Sequence, residues 1–223
     1  MDMATTPLTL ASAPPVDTSG LYRDITGFAA DAPGWLQHFF EVWTEVGLLL
    51  FGALFLAAWW RARRGDARAL ALAVLAPLAT ALAYVASELL KSAVDEERPC
   101  RAVAGAVTSL AKCPPHGDWS FPSNHATIAG ASAVALALIW RGLAWLTLPL
   151  ALLMAFSRVF VGVHYPFDVA VGLALGALAA FLVIRFLPPP LTGLVAAMRT
   201  ASQPAVRWLV GPGPAAHAYA PVR

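Results

Sequence analysis

The chain has 223 residues, of which 59% are hydrophobic and only 13% charged. A soluble domain carries about 25% charged residues, so this composition, with a mean hydropathy of +0.66, points to a bilayer rather than one large soluble core. A net charge of +2 and the lack of a basic cluster interleaved with aromatics argue against nucleic-acid binding.

Residues 1–20 are rich in Ala, Thr, Ser and Pro. They lack the basic and apolar regions of a cleavable leader and read as a mobile arm. Residues 21–40 mix Leu21, Tyr22, Phe28, Trp35, Leu36, Phe39 and Phe40 with Arg23, Asp24 and Asp31. That mixture fits an amphipathic segment at the membrane surface, or equally a loop packed on a helix bundle.

A membrane span needs about 20 mostly apolar residues, and five stretches qualify: 42–60, 69–91, 123–140, 143–162 and 166–186. The expected fold is therefore all-α: a polytopic membrane bundle of five transmembrane helices plus an interfacial segment. Trp59, Trp60, Trp140 and Trp145 lie near the span ends, where aromatic belts form. The membrane-embedded domain is expected over 21–186. Residues 187–223, with Pro188, Pro189, Pro190, Pro212, Pro214 and Pro221, read as an irregular cytoplasmic tail.

Arginines orient the spans. Arg61, Arg63, Arg64 and Arg68 follow the first span, Arg141 the third, and Arg185, Arg199 and Arg207 the fifth. Basic loops stay in the cytoplasm, which puts 92–122 and 163–166 outside. Three clusters of polar residues fall at those outer ends.

The first cluster closes the second span with Lys91, Arg98 and Pro99. Seven residues make nearly two helical turns, so both cations share one face roughly 10 Å apart. Pro99 disfavours helix at the residue before it. The ordinary reading is a snorkelling lysine paired with Asp95 at helical spacing. The run Asp95, Glu96, Glu97 reads as a solvated face.

The second cluster opens the third span with Ser123, Asn124 and His125 after Phe121-Pro122. Ser before a long apolar run is an N-cap signal, and a helix N-terminus offers free N–H groups to an anion. A simple cap with an interfacial histidine is the plainer alternative.

The third cluster joins the last two spans: Ser157, Arg158, Gly162, His164, Tyr165, Pro166 and Asp168. Charge inside an apolar run is costly and usually functional. Asp168 falls in the first turn of the fifth span, where it can reach back to His164, fix its tautomer and stabilise positive charge on the ring. As a mere helix-dipole acid it would leave Arg158 unexplained.

Three cations, two histidines and one aspartate on one membrane face fit phosphoryl transfer. That chemistry needs positive groups for the equatorial oxygens, a nucleophile in line and an acid on the leaving group. Histidine supplies a nucleophile because its ring is neutral near pH 7.

Lys91 through Arg98-Pro99, then Pro122-Ser123-Asn124-His125, then Ser157-Arg158 through His164 and Asp168, resemble the three-part signature of the type 2 phosphatidic acid phosphatase superfamily. The resemblance implies His164 as nucleophile, Asp168 as its orienting carboxylate, and His125 as the acid on the leaving group and then the base for water. It implies Lys91, Arg98, Arg158, Ser123 and the N–H groups near it, including that of Asn124, as phosphate ligands. No cofactor or metal is implied, and the histidines lack the spacing of a zinc helix.

Many members carry Gly where this chain has Asn124, so that position contributes either a backbone N–H or a side-chain contact. A polar residue there, the short chain and the His164-Tyr165-Pro166 turn are similar to the bacitracin-resistance branch, the undecaprenyl-diphosphate phosphatases. The expected partners are a lipid phosphate or diphosphate and the bilayer. The expected setting is the cell membrane, with an extracytoplasmic site that serves carrier-lipid recycling for cell-wall synthesis. Phosphatidylglycerol phosphate, phosphatidic acid and lipid A phosphates are rival substrates. A vanadium haloperoxidase or a non-catalytic lipid-binding or transport bundle are rival classes. Oligomeric state is left open.

Cys100 and Cys113 both fall in the outer segment, where an extracytoplasmic pair invites a disulfide. Such a loop would gain about 3 kcal/mol in the chain-entropy model. Two free thiols are the alternative.

Overall fold

A computed structural model describes residues 16–214. Most of the arm expected over 1–20, and Pro221, lie outside them. Among the described residues nine α-helices follow in order: α1 Ser19–Asp31, α2 Gly34–Ala62, α3 Ala67–Val94, α4 Pro99–Ala102, α5 Asn124–Ile139, α6 Ala144–Phe160, α7 Pro166–Phe186, α8 Pro188–Arg199 and α9 Pro204–Val210. A single 3-10 turn, Arg141–Leu143, precedes α6.

Local chemistry sets the boundaries. The Asp66 carboxylate caps α3 by accepting from the Ala69 N–H at 2.7 Å. At the other end Asp95 adopts the left-handed conformation and stops the helix. Ser123 caps α5, and Pro166 opens α7 at a position that needs no N–H.

Among the described residues four segments are long and apolar enough to cross a membrane: α2, α3, Arg141–Phe160 with α6, and α7. The third expected span, 123–140, forms α5, a shorter apolar helix of 16 residues, about 24 Å, enclosed by its neighbours. Packed against α3, α6 and α7, it buries Ala126, Ala129, Ala131, Ala133 and Ala135. Its closest neighbour is α7, held at backbone distance by small residues. A Cβ on Gly176 would lie 2.0 Å from the Thr127 carbonyl oxygen, and one on Gly130 would lie 2.6 Å from that of Leu173. Small residues let membrane helices approach in this way. The outer surface is apolar, with Leu49, Leu56, Leu82, Leu152 and Leu178 exposed.

Residues 21–40 pack on the bundle, as helix and not as a loop. α1 does not span; it packs against α6, burying Tyr22 and Thr26 while Leu21 and Phe28 stay exposed. The start of α2 takes the rest of the segment.

The tail departs from expectation. α8 and α9 are helical and close the far end of the bundle, where Val195 and Val210 bury against Leu70 and Ala71. Proline begins both helices at N1, where its missing N–H costs nothing. The Arg63 guanidinium lies over the rings of Trp59, Trp60 and Trp208 and donates to the Trp208 carbonyl oxygen.

Candidate active site

The three polar clusters converge at one end of the bundle. α3 and α6 end there, and α5 and α7 begin there. Lys91 lies in the last turn of α3 and Arg158 in the last turn of α6. Arg98 is the extended residue before α4, as Pro99 requires. Gly162 turns the chain from α6 toward His164 with a φ of +85°, and a Cβ there would lie 2.8 Å from the Ser109 side chain. The Tyr22 hydroxyl of α1 holds this turn, donating to the Gly162 carbonyl oxygen at 2.9 Å.

His164 is 1% exposed. Its Nε2 lies 3.1 Å from Arg98 Nη1. A guanidinium has only donors, so Nε2 accepts and carries no proton. The ring hydrogen is then on Nδ1, which faces Asp168 Oδ2 at 3.4 Å. Burial, and the charges of Arg98, Arg158 and Lys91 with His125 close by, hold this imidazole well below its usual range. The ring is therefore neutral, with its Nε2 lone pair directed at the Arg98 guanidinium.

Asp168 is fully buried and held by three groups. Its Oδ2 accepts from the Ser120 hydroxyl at 2.5 Å and the Tyr165 N–H at 2.9 Å, and faces the His164 ring. The Asp168 backbone carbonyl accepts from the Ser123 N–H at 3.2 Å, which joins the starts of α5 and α7.

Arg98 is fixed on every side. Nη1 donates to the Val163 carbonyl at 3.0 Å, Nε to the Asp118 carbonyl at 2.7 Å, and Nη2 to Asp118 Oδ1 at 2.7 Å. Lys91 Nζ lies 3.5 Å from the same Oδ1 and 3.9 Å from Glu88 Oε1. Its partners are thus Asp118 and Glu88, whereas Asp95 serves as the C-cap of α3. Burial opposes ionisation of Asp118, but the hydrogen bond and charge of Arg98, with Lys91, outweigh it and hold the carboxyl below its usual range.

Arg158 Nη1 donates to Thr44 Oγ1 of α2 at 2.6 Å, while its buried Nε has no hydrogen-bond partner among the described residues. His125 stands in the first turn of α5, within electrostatic reach of Arg158, Arg98, Lys91 and Asp118. Ser123 caps its helix through the Ala126 N–H at 3.5 Å. The Asn124 side chain is committed to α3: Oδ1 accepts from Ser87 Oγ at 2.7 Å, and Nδ2 donates to Glu88. Its backbone N–H remains available to an anion.

Cys100 and Cys113 are bonded, with Cα atoms 6.1 Å apart. The bond ties α4 to the loop that leads to Asp118 and Ser120. Among the described residues no three His, Cys, Asp or Glu side chains are grouped so as to hold a metal ion.

The acidic run is not a solvated face at its centre. Glu97 pairs with Arg101 at 2.6 Å and His116 at 3.2 Å, and Glu96 is 1% exposed. Sequence reasoning also missed Thr44, Asp118 and Ser120. Ser120 and Asp118 lie just before the second cluster and share its loop, a signal that proximity alone could have raised. Thr44 is a lone polar residue in an apolar run, and nothing in the chain marks it.

Residues 70–190 match the model of the PAP2 superfamily. Undecaprenyl-diphosphatase BcrC of Bacillus subtilis is 32% identical over 145 residues, covering 64% of this chain and 70% of that protein. Decaprenylphosphoryl-5-phosphoribose phosphatase of Mycobacterium tuberculosis is 37% identical over 163 residues, covering 72% and 81%. Among solved structures, Aquifex aeolicus LpxE superposes with a TM-score of 0.59 at 23% identity, over 75% of this chain and 94% of that one. A PAP2-type phosphatidylglycerolphosphate phosphatase from Bacillus subtilis does so with a TM-score of 0.56 at 23% identity, over 75% and 84%.

Proposed function

The chain belongs to the PAP2 superfamily as a multi-pass membrane protein, and on that premise we propose that it hydrolyses a polyprenyl diphosphate through a phosphohistidine at His164. The observation that carries this reading is the state of His164: Nε2 unprotonated at 3.1 Å from Arg98, and Nδ1 turned to Asp168.

In the first step the Nε2 lone pair attacks phosphorus and the bond to the bridging oxygen breaks. Protonated His125 gives that oxygen its hydrogen, so the lipid monophosphate leaves. The phosphorylated ring carries positive charge, which Asp168 Oδ2 offsets through Nδ1–H. In the second step His125, now neutral, takes a proton from water as the water oxygen attacks phosphorus. The P–N bond breaks, and inorganic phosphate leaves. Arg98, Lys91, Arg158 Nε and the free N–H groups at the start of α5 face the equatorial oxygens. Each such preorganised donor is worth about 10²–10³ in rate. These cations supply the charge neutralisation, and the reading needs no metal ion.

The basic residues Arg61, Arg63, Arg64 and Arg68 lie at the opposite end of the bundle. This supports an extracytoplasmic site in the cell membrane, suited to recycling a carrier lipid. The similarity to BcrC supports undecaprenyl diphosphate as substrate. A second reading, a polyprenyl-linked sugar phosphate, draws on the 37% identity to the mycobacterial enzyme. The test is phosphate release by purified protein in detergent. Undecaprenyl diphosphate, decaprenylphosphoryl-5-phosphoribose, phosphatidylglycerol phosphate and phosphatidic acid would be compared at equal concentration. The highest kcat/KM is expected on undecaprenyl diphosphate; release from none of the four would sink the hydrolase reading.

A further inference from the structure

Glu96 has no place in the machinery described above, yet it lies against it. It sits in the link between α3 and α4, buried, two residues before Arg98. Ser120 connects it to the catalytic pair: the Ser120 N–H donates to the Glu96 carbonyl oxygen at 2.8 Å, and the Ser120 hydroxyl donates to Asp168 Oδ2 at 2.5 Å. Both carboxyl oxygens of Glu96, and Oδ1 of Asp168, are buried and receive no hydrogen bond from an N–H or O–H group of any described residue. The two carboxyls are within hydrogen-bonding reach of each other.

Two ionised carboxylates cannot bond, because neither has a hydrogen, and in a buried site they repel. A single shared proton removes both problems and satisfies an otherwise orphaned oxygen on each side. The surroundings decide which partner holds it. Asp168 Oδ2 has two donors, the Ser120 hydroxyl and the Tyr165 N–H, and it faces the His164 ring at 3.4 Å, all of which favour its charge. Glu96 has none. Facing the pair are Ser120 from the loop before α5, Tyr165 and His164 from the link between α6 and α7, and the Arg98 charge acting on Asp168 from the link before α4. Burial and the neighbouring Asp168 push the Glu96 carboxyl above its ordinary range.

We propose that Glu96 is a positioning residue: a neutral carboxylic acid that donates its hydrogen to Asp168 Oδ1 and so fixes the carboxylate behind His164. The proposal rests on the phosphohistidine reading for its catalytic consequence, but not for the protonation itself. Held from both sides, the Asp168 carboxylate keeps its place behind the ring, and the proton stays on His164 Nδ1 while the ring takes up phosphorus. Ionisation of Glu96 puts a second negative charge beside Asp168, and the pair must separate or capture a proton elsewhere. Either change withdraws the carboxylate from the ring, so kcat falls on the alkaline side.

Two measurements test this on the full-length protein in detergent. Infrared difference spectra of wild type minus Glu96→Gln, without substrate, should show the C=O stretch of a protonated carboxylic acid at neutral pH. Its absence would overturn the proposal whatever the enzyme does. The second measurement is the pH profile of kcat. Glu96→Leu, which removes the donor, should lower kcat by about 10- to 100-fold, the worth of a hydrogen bond to a charged group, with KM little changed. Glu96→Gln keeps a donor that cannot ionise; it should recover most of that loss and abolish the alkaline fall. An unchanged alkaline limb in Glu96→Gln would overturn the positioning role, even if Glu96→Leu fails to fold. If wild type quenched in alkali, where a P–N bond survives, yields no phosphohistidine while the infrared band is present, the catalytic reading fails and the protonated pair stands.

Discussion

Asp118 grips Arg98 twice: its Oδ1 lies 2.7 Å from Nη2, and its backbone carbonyl accepts from Nε at the same distance. The same Oδ1 lies 3.5 Å from Lys91 Nζ. On the proposed reading a substrate phosphate uses both cations, so the carboxylate and the phosphate compete for them. Asp118→Asn keeps an oxygen acceptor for Arg98 and removes the competing charge. The pair is partly exposed, and water screens it to about 0.2–1 kcal/mol. KM should therefore fall by up to about fivefold, with tighter inhibition by inorganic phosphate. Steady-state kinetics at fixed ionic strength read both; a higher KM would mean that Asp118 serves mainly to aim Arg98.

A second group of variants addresses the chemistry. His164→Ala should abolish turnover and leave no acid-labile phosphoprotein after a rapid quench. On the proposed mechanism His125→Ala retains the nucleophile but should lose proton transfer, worth about 10²–10⁴ in rate. Asp168→Ala should leave a small residue of activity. Turnover should survive a chelator unchanged, because Lys91, Arg98 and Arg158 supply the charge. Chelator-sensitive release that a divalent cation restores would count against this.

Glu96 also links stability to pH. Its folded carboxyl is raised above the unfolded value of about 4.3. Its contribution is therefore complete below that value and lost as pH rises through the folded one. The melting temperature of wild type in detergent should decline across this window, and Glu96→Gln should flatten the decline. Parallel curves for the two proteins would refute the linkage.

How much of this was legible in the chain differs by element. The apolar run at 166–186 matches α7 residue for residue, and 69–91 lies within α3, because hydropathy and capping residues agree there. Lys91, His125, Arg158, His164 and Asp168 could be read because each falls at or between the ends of apolar runs, where a charge needs a reason, and Arg98 because of its spacing from Lys91 and the proline after it. Glu96 could not. Within three consecutive acids, Asp95 caps a helix, Glu97 meets Arg101 and Glu96 turns inward, and only the path of the chain between α3 and α4 separates them. The prolines after Phe186 misled in the other direction. Their number signals irregularity, but their positions at the first turn of α8 and α9 start helices.

Thr44 tests the support of the site from outside the signature. Its hydroxyl accepts from Arg158 Nη1 at 2.6 Å, at a residue with no other polar anchor for that nitrogen among the described residues. Thr44→Val preserves shape and leaves a second buried donor of Arg158 without a partner. Loss of such a partner costs about 1–3 kcal/mol. The expected outcome is a lower melting temperature and a KM raised about tenfold or more, since the guanidinium is no longer aimed. If Thr44→Val has wild-type KM, Arg158 is held by something other than α2.

The contact of α5 with α7 sets the distance between His125 and His164, so it offers a test of the frame itself. A methyl on Gly176 would overlap the Thr127 carbonyl oxygen at 2.0 Å, and backbone cannot swing aside as a side chain can. Gly176→Ala should therefore cost at least the upper part of the about 1–3 kcal/mol typical of overpacking. It should also lower kcat by pushing the starts of the two helices apart. Gly193 in α8 is the matched control, because a Cβ there meets nothing within 4 Å. Gly193→Ala should stabilise by up to about 1 kcal/mol through helix propensity, with activity unchanged. Thermal unfolding in detergent and turnover, measured on both variants, separate the two cases. A Gly176→Ala protein as stable and active as wild type would show that α5 and α7 do not meet at this position.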